Sequence, residues 1–342
     1  MRPIRVLIVE DSMVFRELLV QNLNKDPVIE VVGVAKDPFE ARDAIIKYKP
    51  DVMTLDVELP RMSGIEFLQK LMPQYPLPVV VISALSDKVF DALNAGAVDF
   101  VAKPTVTGRA QLEDFIQNEL LVKIKIASTA KISRIKQKAV MNEQPGLTGK
   151  GTDLIVAIGA STGGTEAIYS VVKDFGVDIP GVIIVQHMPP GFTAMYAKRL
   201  DDQCRVHVKE AQTGDRVLPG HVLIAPGGDK HMHLVKVNGI YQVEVKPGPK
   251  VNGHCPSVDV LFDSVAKTAG SKALGIILTG MGGDGAKGLL AMRKAGARTI
   301  GQDESTCVVY GMPKVAYDIG AVEYQEKLQD IAKKTYAVLN KM

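Results

Sequence analysis

Gly159-Ala160-Ser161-Thr162-Gly163-Gly164 follows directly on the apolar run Leu154 to Ile158 and leads into a helical pattern from Thr165. A strand that stops at a glycine-flanked serine and turns at once into a helix holds the hydroxyl at the carboxyl edge of a sheet, where open α/β sheets place their chemistry. Glycines on both sides leave room for a substrate and permit backbone that a bulkier residue avoids. A serine hydroxyl is a weak nucleophile until a base takes its proton, so the chain must also supply a histidine and a carboxylate. Both follow similar runs: His187 after Val182 to Gln186, and Asp284 within Gly280-Met281-Gly282-Gly283-Asp284-Gly285 after Leu274 to Leu278. Singly, each residue has a plainer account: a phosphate loop, a satisfied polar histidine, an aspartate shaping a turn. The loop lacks the Rossmann glycine spacing, and no Walker lysine follows it. Together, Ser161, His187 and Asp284 are the three residue types of a hydrolytic triad, each at the end of a strand in one domain. Gly159-x-Ser161-x-Gly163 also fits the α/β-hydrolase elbow, but the order Ser, His, Asp is not that fold's order of Ser, acid, His. A triad is defined by geometry, so the order counts against that fold and not against the chemistry.

A second constellation lies in the first third of the chain. Glu10 and Asp11 end the first strand-like run and Asp56 ends the third. In a doubly wound sheet of order 2-1-3-4-5 those strands are neighbours at the switch point, so three carboxylates converge on one crevice. Like charges so close repel unless a cation sits among them, and oxygen ligands in an open site suit magnesium. Ser83 ends the fourth run and Lys103 the fifth, adding a hydroxyl and an ammonium for the oxygens of a transferring phosphoryl group, with Asp56 as the attacking carboxylate.

The elements that must hold these groups repeat a βα rhythm. Strand-like runs at Val6–Val9, Val31–Val34, Val52–Leu55, Val79–Ile82 and Asp99–Val101 alternate with helical patterns, and a fifth helix is expected over Leu112 to Ile126. Between Leu121 and Lys150 stand six lysines and Arg134 against one acid, Glu143. A basic, weakly periodic stretch of this kind is expected to be a solvated tether. The rhythm then resumes with Leu154–Ile158, Val182–Gln186, Val222–Ala225, Leu274–Leu278 and Thr299–Gly301. Alternation around Asn238-Gly239 within Met232–Val245 predicts a hairpin. The expectation is α/β throughout: a flavodoxin-like doubly wound domain over 1–125, a basic flexible linker over 126–152, and a Rossmann-like, mostly parallel-sheet hydrolase domain with an antiparallel hairpin over 153–342. Hydrophobic residues make up 46% and charged residues 23%, a globular composition, and a net charge of +3 is too small to suggest a nucleic-acid binder. Cys204, Cys255 and Cys307 have no metal or redox spacing and suggest a reducing compartment. No run approaches a signal-peptide core or the ~20 apolar residues of a membrane span, so a cytoplasmic protein without membrane insertion is expected. His231-x-His233 points two imidazoles to one face of a strand that no carboxylate obviously joins, which argues against a metal pair.

On these residues the chain resembles two families. Residues 1 to ~125 look like a response-regulator receiver, on Glu10-Asp11, Asp56 with Pro60 and Gly64 behind it, Ser83-Ala84 and Lys103-Pro104. The resemblance implies phosphorylation of Asp56 with Mg2+, a histidine kinase as phosphodonor, Phe100 at the place of a switching aromatic, and a cis bond before Pro104. Residues ~153 to 342 resemble the protein-glutamate methylesterase domain of bacterial chemotaxis, the CheB family. The motifs are the Ser161 loop, Gln186-His187-Met188, Ala225-Pro226-Gly227-Gly228, Pro256-Ser257-Val258-Asp259, the Asp284 loop and Tyr310-Gly311-Met312-Pro313. This resemblance implies hydrolysis of glutamyl γ-methyl esters on chemoreceptor signalling helices, some members also deamidating receptor glutamines, without a cofactor for the esterase. It makes Ser161 the nucleophile, His187 the base, Asp284 its orienting carboxylate and the Met281 amide an oxyanion donor; the helix start at Thr162 offers another. The receiver is expected to restrain the esterase until Asp56 is phosphorylated. The alternative is a response regulator whose output domain is non-catalytic, binding receptors or nucleic acid. A nucleic-acid binder would need a helix-turn-helix and a basic face.

Overall fold

The computed structural model describes residues 2–84, 87–104, 109–130 and 153–342. The chain divides into two compact units, Met1–Gln137 and Lys138–Met342.

The first unit is built on β1 (Ile4–Val9), β2 (Ile29–Ala35), β3 (Val52–Asp56), β4 (Val79–Ser83) and β5 (Asp99–Ala102). They form one parallel sheet in the order 2-1-3-4-5. The runs of β3 and β4 are apolar without alternation because helices cover both faces, and every residue of these two strands is buried. The helices are α1 (Met13–Leu23), α2 (Pro38–Tyr48), α3 (Gly64–Leu71) and α4 (Lys88–Asn94). Their starts are written in the sequence. Ser12 caps α1, and Asp37 caps α2 ahead of Pro38, each side chain accepting a backbone N–H of the first turn. The fifth helical stretch is longer than Leu112–Ile126. It runs from α5 (Arg109–Phe115) through a π-helical turn (Ile116–Leu120) into α6 (Leu121–Ala127). The basic stretch expected as a linker over 126–152 therefore begins inside this helix, and its greater part, 131–152, lies outside the described residues.

The second unit carries a seven-stranded sheet in which every pairing is parallel. Its strands are β6 (Ile155–Ala160), β7 (Gly181–Gln186), β8 (His207–Glu210), β9 (His221–Ile224), β12 (Ala273–Ile277), β13 (Arg298–Gln302) and β14 (Tyr324–Glu326). Across the sheet they lie in the order 14-13-12-6-7-9-8. The interior strands β6, β7 and β12 are buried throughout. Neither β8 nor β14 is foreseen by the pattern. Both are short edge strands, His-Val-Lys-Glu and Tyr-Gln-Glu, half exposed and under no pressure to be apolar. The hairpin is present as β10 (Lys230–Val237) and β11 (Ile240–Pro247), closed by Asn238 and Gly239 with φ of 49° and 82°. The helices are α7 (Gly164–Val172), α8 (Phe192–Gln203), α9 (Val258–Thr268), α10 (Ala286–Lys294), α11 (Met312–Asp318) and α12 (Ile331–Leu339). Because β7 lies on one side of β6 and β12 on the other, the chain reverses direction across the sheet at β6, and a crevice opens at its carboxyl end. Among the described residues no helix is long and apolar enough to cross a membrane. Among the described residues the cis peptide bond is Cys255–Pro256; the bond before Pro104, which the receiver resemblance implies to be cis, is trans.

Candidate active site

Three adjacent strands deliver the three groups. Ser161 follows β6, His187 follows β7, and the loop holding Asp284 lies between β12 and α10. The turn at Ser161 is tight. Its N–H donates to Thr279 O at 3.0 Å and its carbonyl accepts Gly164 N–H at 2.7 Å, while Gly163 takes φ +75° to start α7. A β-carbon on Gly280 would lie 2.7 Å from Ser161 Cβ, so only glycine lets the two loops approach this closely. The Gly280 carbonyl accepts the Gly311 and Met312 amides at 3.0 and 2.8 Å, which fixes the peptide leading to Met281. The Met281 N–H has no acceptor among the described residues.

His187 Nε2 lies 2.9 Å from Asp284 Oδ2. An ionised carboxylate only accepts, so Nε2 carries the proton and the lone pair is on Nδ1. Nδ1 is buried and has no partner among the described residues, and no hydrogen bond joins the ring to Ser161 in this state. The imidazole of His254 stacks on that of His187, ring centroids 3.8 Å apart and planes 9° from parallel.

Asp284 is 1% exposed and accepts five donors. Oδ2 takes His187 Nε2 and, at 2.7 Å, Val258 N–H. Oδ1 takes Asn252 Nδ2 and Ser257 Oγ at 2.8 Å each, and Asp259 N–H at 3.3 Å. Two of these are amides in the first turn of α9, whose cap is Ser257, so the carboxylate sits at a helix N-terminus. Burial pushes the carboxyl's pKa up, but the bonds from His187, Asn252 and Val258 outweigh it and hold the group well below the usual range. Ser257 is itself held by His231. The Ser257 N–H donates to His231 Nδ1 at 3.1 Å, and His231 Nε2 donates to Pro249 O at 2.8 Å. His231 is thus a buried structural residue and not half of a metal pair.

In the first unit, one carboxylate oxygen from each of Glu10, Asp11 and Asp56 lies within 4.8 Å of the others. Lys103 Nζ is 2.6 Å from Asp56 Oδ2 and 3.0 Å from both Glu10 oxygens. Glu10 is raised to about 7, first by burial and also by the Asp56 charge, with Lys103 opposing. For Lys103, burial lowers the pKa but the bonds to Asp56 and Glu10 win, and the net shift is upward. Ser83 is buried at the end of β4, and its carbonyl accepts Lys103 N–H at 2.6 Å. Phe100 is buried and meets Phe90 edge to face, centroids 6.4 Å apart.

Comparison with known proteins bears on both units. Residues 156–335 match the family described as CheB methylesterase, and residues 6–117 match the response regulator receiver domain. A protein of Syntrophomonas wolfei named protein-glutamate methylesterase/protein-glutamine glutaminase 2 is 63% identical, over 100% of this chain and 99% of its own. The chain belongs to the CheB methylesterase family. A Salmonella typhimurium relative named protein-glutamate methylesterase/protein-glutamine glutaminase is 47% identical over 99% of this chain and 98% of its own. The crystal structure of the Thermotoga maritima CheB methylesterase catalytic domain is 40% identical with a TM-score of 0.53, covering 54% of this chain and 98% of that one.

In this CheB-family chain Ser161, Thr162, His187, Met281 and Asp284 lie on loops past β6, β7 and β12, with His187 bonded to Asp284 but not to Ser161, while Glu10, Asp11, Asp56 and Lys103 come together and Ser83 ends the neighbouring β4. Sequence reasoning missed the supports of Asp284, namely Asn252, Ser257 and Asp259, the histidine that stacks on His187, and the buried amide of Gln186. The Pro256-Ser257-Val258-Asp259 run carried a signal, a serine cap ahead of an apolar helix. The Asn252-Gly253 pair signalled a turn and nothing of its reach.

Proposed function

We propose that this protein hydrolyses γ-methyl esters of glutamyl side chains on chemoreceptors and deamidates receptor glutamines, under control of phosphorylation at Asp56. The observation that carries this reading is the 2.9 Å bond from His187 to buried Asp284, which leaves the buried Nδ1 without a partner among the described residues, on a residue whose backbone N–H bonds Ala160 O next to Ser161. Nδ1 takes the Ser161 proton as Oγ attacks the ester carbonyl. The N–H groups of Met281 and Thr162 receive the developing oxyanion, a contribution of roughly a hundred- to a thousandfold per donor. Asp284 stabilises the imidazolium, which then protonates the leaving methoxide to methanol, or the leaving amine to ammonia from glutamine. Water, deprotonated by the same nitrogen, hydrolyses the acyl-serine and restores the hydroxyl.

In the receiver, the oxygen-only donor set of Glu10, Asp11 and Asp56 fits Mg2+, which these three would hold and which offsets phosphoryl charge. Lys103 is poised at hydrogen-bond distance from Asp56 to bind an oxygen of the phosphoryl group. A chemotaxis histidine kinase is the expected donor. The test is methanol release from methylated receptor membranes by the full chain, with and without acetyl phosphate and Mg2+. Release that depends on Ser161 and rises with phosphodonor is expected; release unaffected by Ser161→Ala would sink the reading.

A further inference from the structure

The ladder between β6 and β7 ends where the chemistry begins. Ala160 pairs with Gln186, and His187 N–H donates to Ala160 O at 3.2 Å. Beyond that point the two chains part. Ser161 turns its N–H to Thr279, two residues past β12, and the bond from His187 N–H to Ala160 O is the last backbone bond between the two chains among the described residues. Gln186 spans the gap. Its Nε2 donates to Ser161 O at 3.0 Å and to His187 O at 3.1 Å. Both acceptors are carbonyls, so that end of the carboxamide must be the nitrogen, one hydrogen to each. The side chain is 3% exposed, and its Oε1 is buried without a partner among the described residues. A β-carbon on Gly164 would lie 2.2 Å from that oxygen, so the glycine opens the space the amide occupies. A buried amide satisfied at one end only is a poor device for stability, since the orphaned oxygen is costly. Sites where a stability rule is broken are where function is to be sought.

We infer that Gln186 is a positioning residue, a clamp that fixes the separation of Ser161 and His187 through their peptide carbonyls. This rests on the reading of those two residues as nucleophile and base. The loss of the clamp leaves the substrate surface alone and disturbs the attack geometry, so it acts on kcat and not on KM.

The experiment uses the full chain. Gln186→Met keeps length and apolar bulk and removes both donors; Gln186→Glu keeps the outline and sets a carboxylate against two carbonyls. With methylated receptor membranes, kcat for methanol release should fall roughly ten- to a hundredfold in both at unchanged KM, the scale expected when reacting groups shift by a fraction of an ångström to an ångström. The rate constant for labelling of Ser161 by a fluorophosphonate should fall in step. If Gln186 only supports the fold, Tm drops while kcat and labelling rate of the folded variants stay at wild type, and the proposal is overturned. Should the Met and Glu variants not fold, Gln186→Asn decides. It keeps a buried carboxamide but stops one methylene short, and the same loss of kcat supports the clamp while wild-type kcat overturns it. Failure of the underlying catalytic reading looks different: wild type would not label at Ser161, or Ser161→Ala would still release methanol.

Discussion

Asp259 and Asp284 share one donor: the side-chain nitrogen of Asn252 lies 2.8 Å from a carboxylate oxygen of each. Asp259 is anchored on its other side by Gly288 N–H at 2.7 Å. Its pKa is raised, by burial first and by the Asp284 charge, against the bonds from Gly288 and Asn252. A carboxyl whose folded pKa is raised holds a proton that the unfolded chain has lost, so its contribution to stability falls as pH rises from the ordinary carboxylate range through the raised value. Asn252 sits at φ +52°, so glycine removes the side chain without backbone strain. Asn252→Gly should therefore cost about 1–3 kcal/mol near neutral pH, the penalty of an unsatisfied buried acceptor. The deficit should shrink in acid, where Asp259 is protonated. Thermal unfolding of both proteins across a pH series from acid to alkaline checks the sign; a Tm difference that does not grow with pH contradicts it.

Asp284→Asn is a severe change here for a reason visible in its partners. All five contacts to the carboxylate are donors, and wherever the new amide nitrogen points it faces at least two of them. The lost charge also removes the group that holds the proton on His187 Nε2. By analogy with other triads kcat should drop about ten-thousandfold. Ser161→Ala should abolish turnover while leaving Tm near wild type, because its hydroxyl makes no hydrogen bond among the described residues, and the double variant should be no worse than Ser161→Ala alone. Methanol release, with Tm measured in parallel, separates the two behaviours.

Asp56→Asn keeps the outline of the acceptor and removes its nucleophilic carboxylate. The amide introduced there still lies near Lys103, and Glu58 N–H, which donates to Asp56 Oδ1 at 2.8 Å, can still find an oxygen. The variant should fold and fail to take phosphate from labelled acetyl phosphate in Mg2+. Label on the variant at wild-type level would mean that another residue is the acceptor.

How much of this was legible beforehand differs by residue. Ser161, His187 and Asp56 each stand just past an apolar run and Asp284 in the glycine-rich loop after one, and a parallel strand buried on both faces reads clearly. The residues at its carboxyl end then fall at the crevice without further information. Asn238-Gly239 gave the hairpin because its two central residues need positive φ. What sequence withheld lies in long-range polar contacts. Asn252 reaches Asp259 seven residues away and Asp284 thirty-two residues away, and Gln186 reaches back twenty-five residues to Ser161. No periodicity encodes such a contact. The edge strands β8 and β14 were missed for the opposite reason, since half-exposed polar strands leave no apolar trace. Resemblance to receivers pointed to a cis bond before Pro104, where the backbone is trans.

The last prediction concerns control. The two units have separate cores, so a fragment beginning at Gly151 is expected to fold by itself. An esterase active without signal would strip receptors constantly, so the unphosphorylated receiver is expected to hold it down. Phosphorylation adds charge in a pocket where Asp56, Lys103 and Glu10 are already in contact and where Ser83 and Phe100 are buried on neighbouring strands. A new charge there shifts the population of receiver conformations and with it the restraint. The fragment should be faster than the unphosphorylated full chain and indifferent to phosphodonor, and the full chain should rise toward or beyond the fragment's rate with acetyl phosphate and Mg2+. Asp56→Asn in the full chain should stay at the unphosphorylated rate. Methanol release from methylated receptor by the three proteins, with and without phosphodonor, gives the comparison. If the fragment is no faster than the unphosphorylated full chain, restraint by the receiver is ruled out, and activation must come from a positive contribution that only the phosphorylated receiver makes.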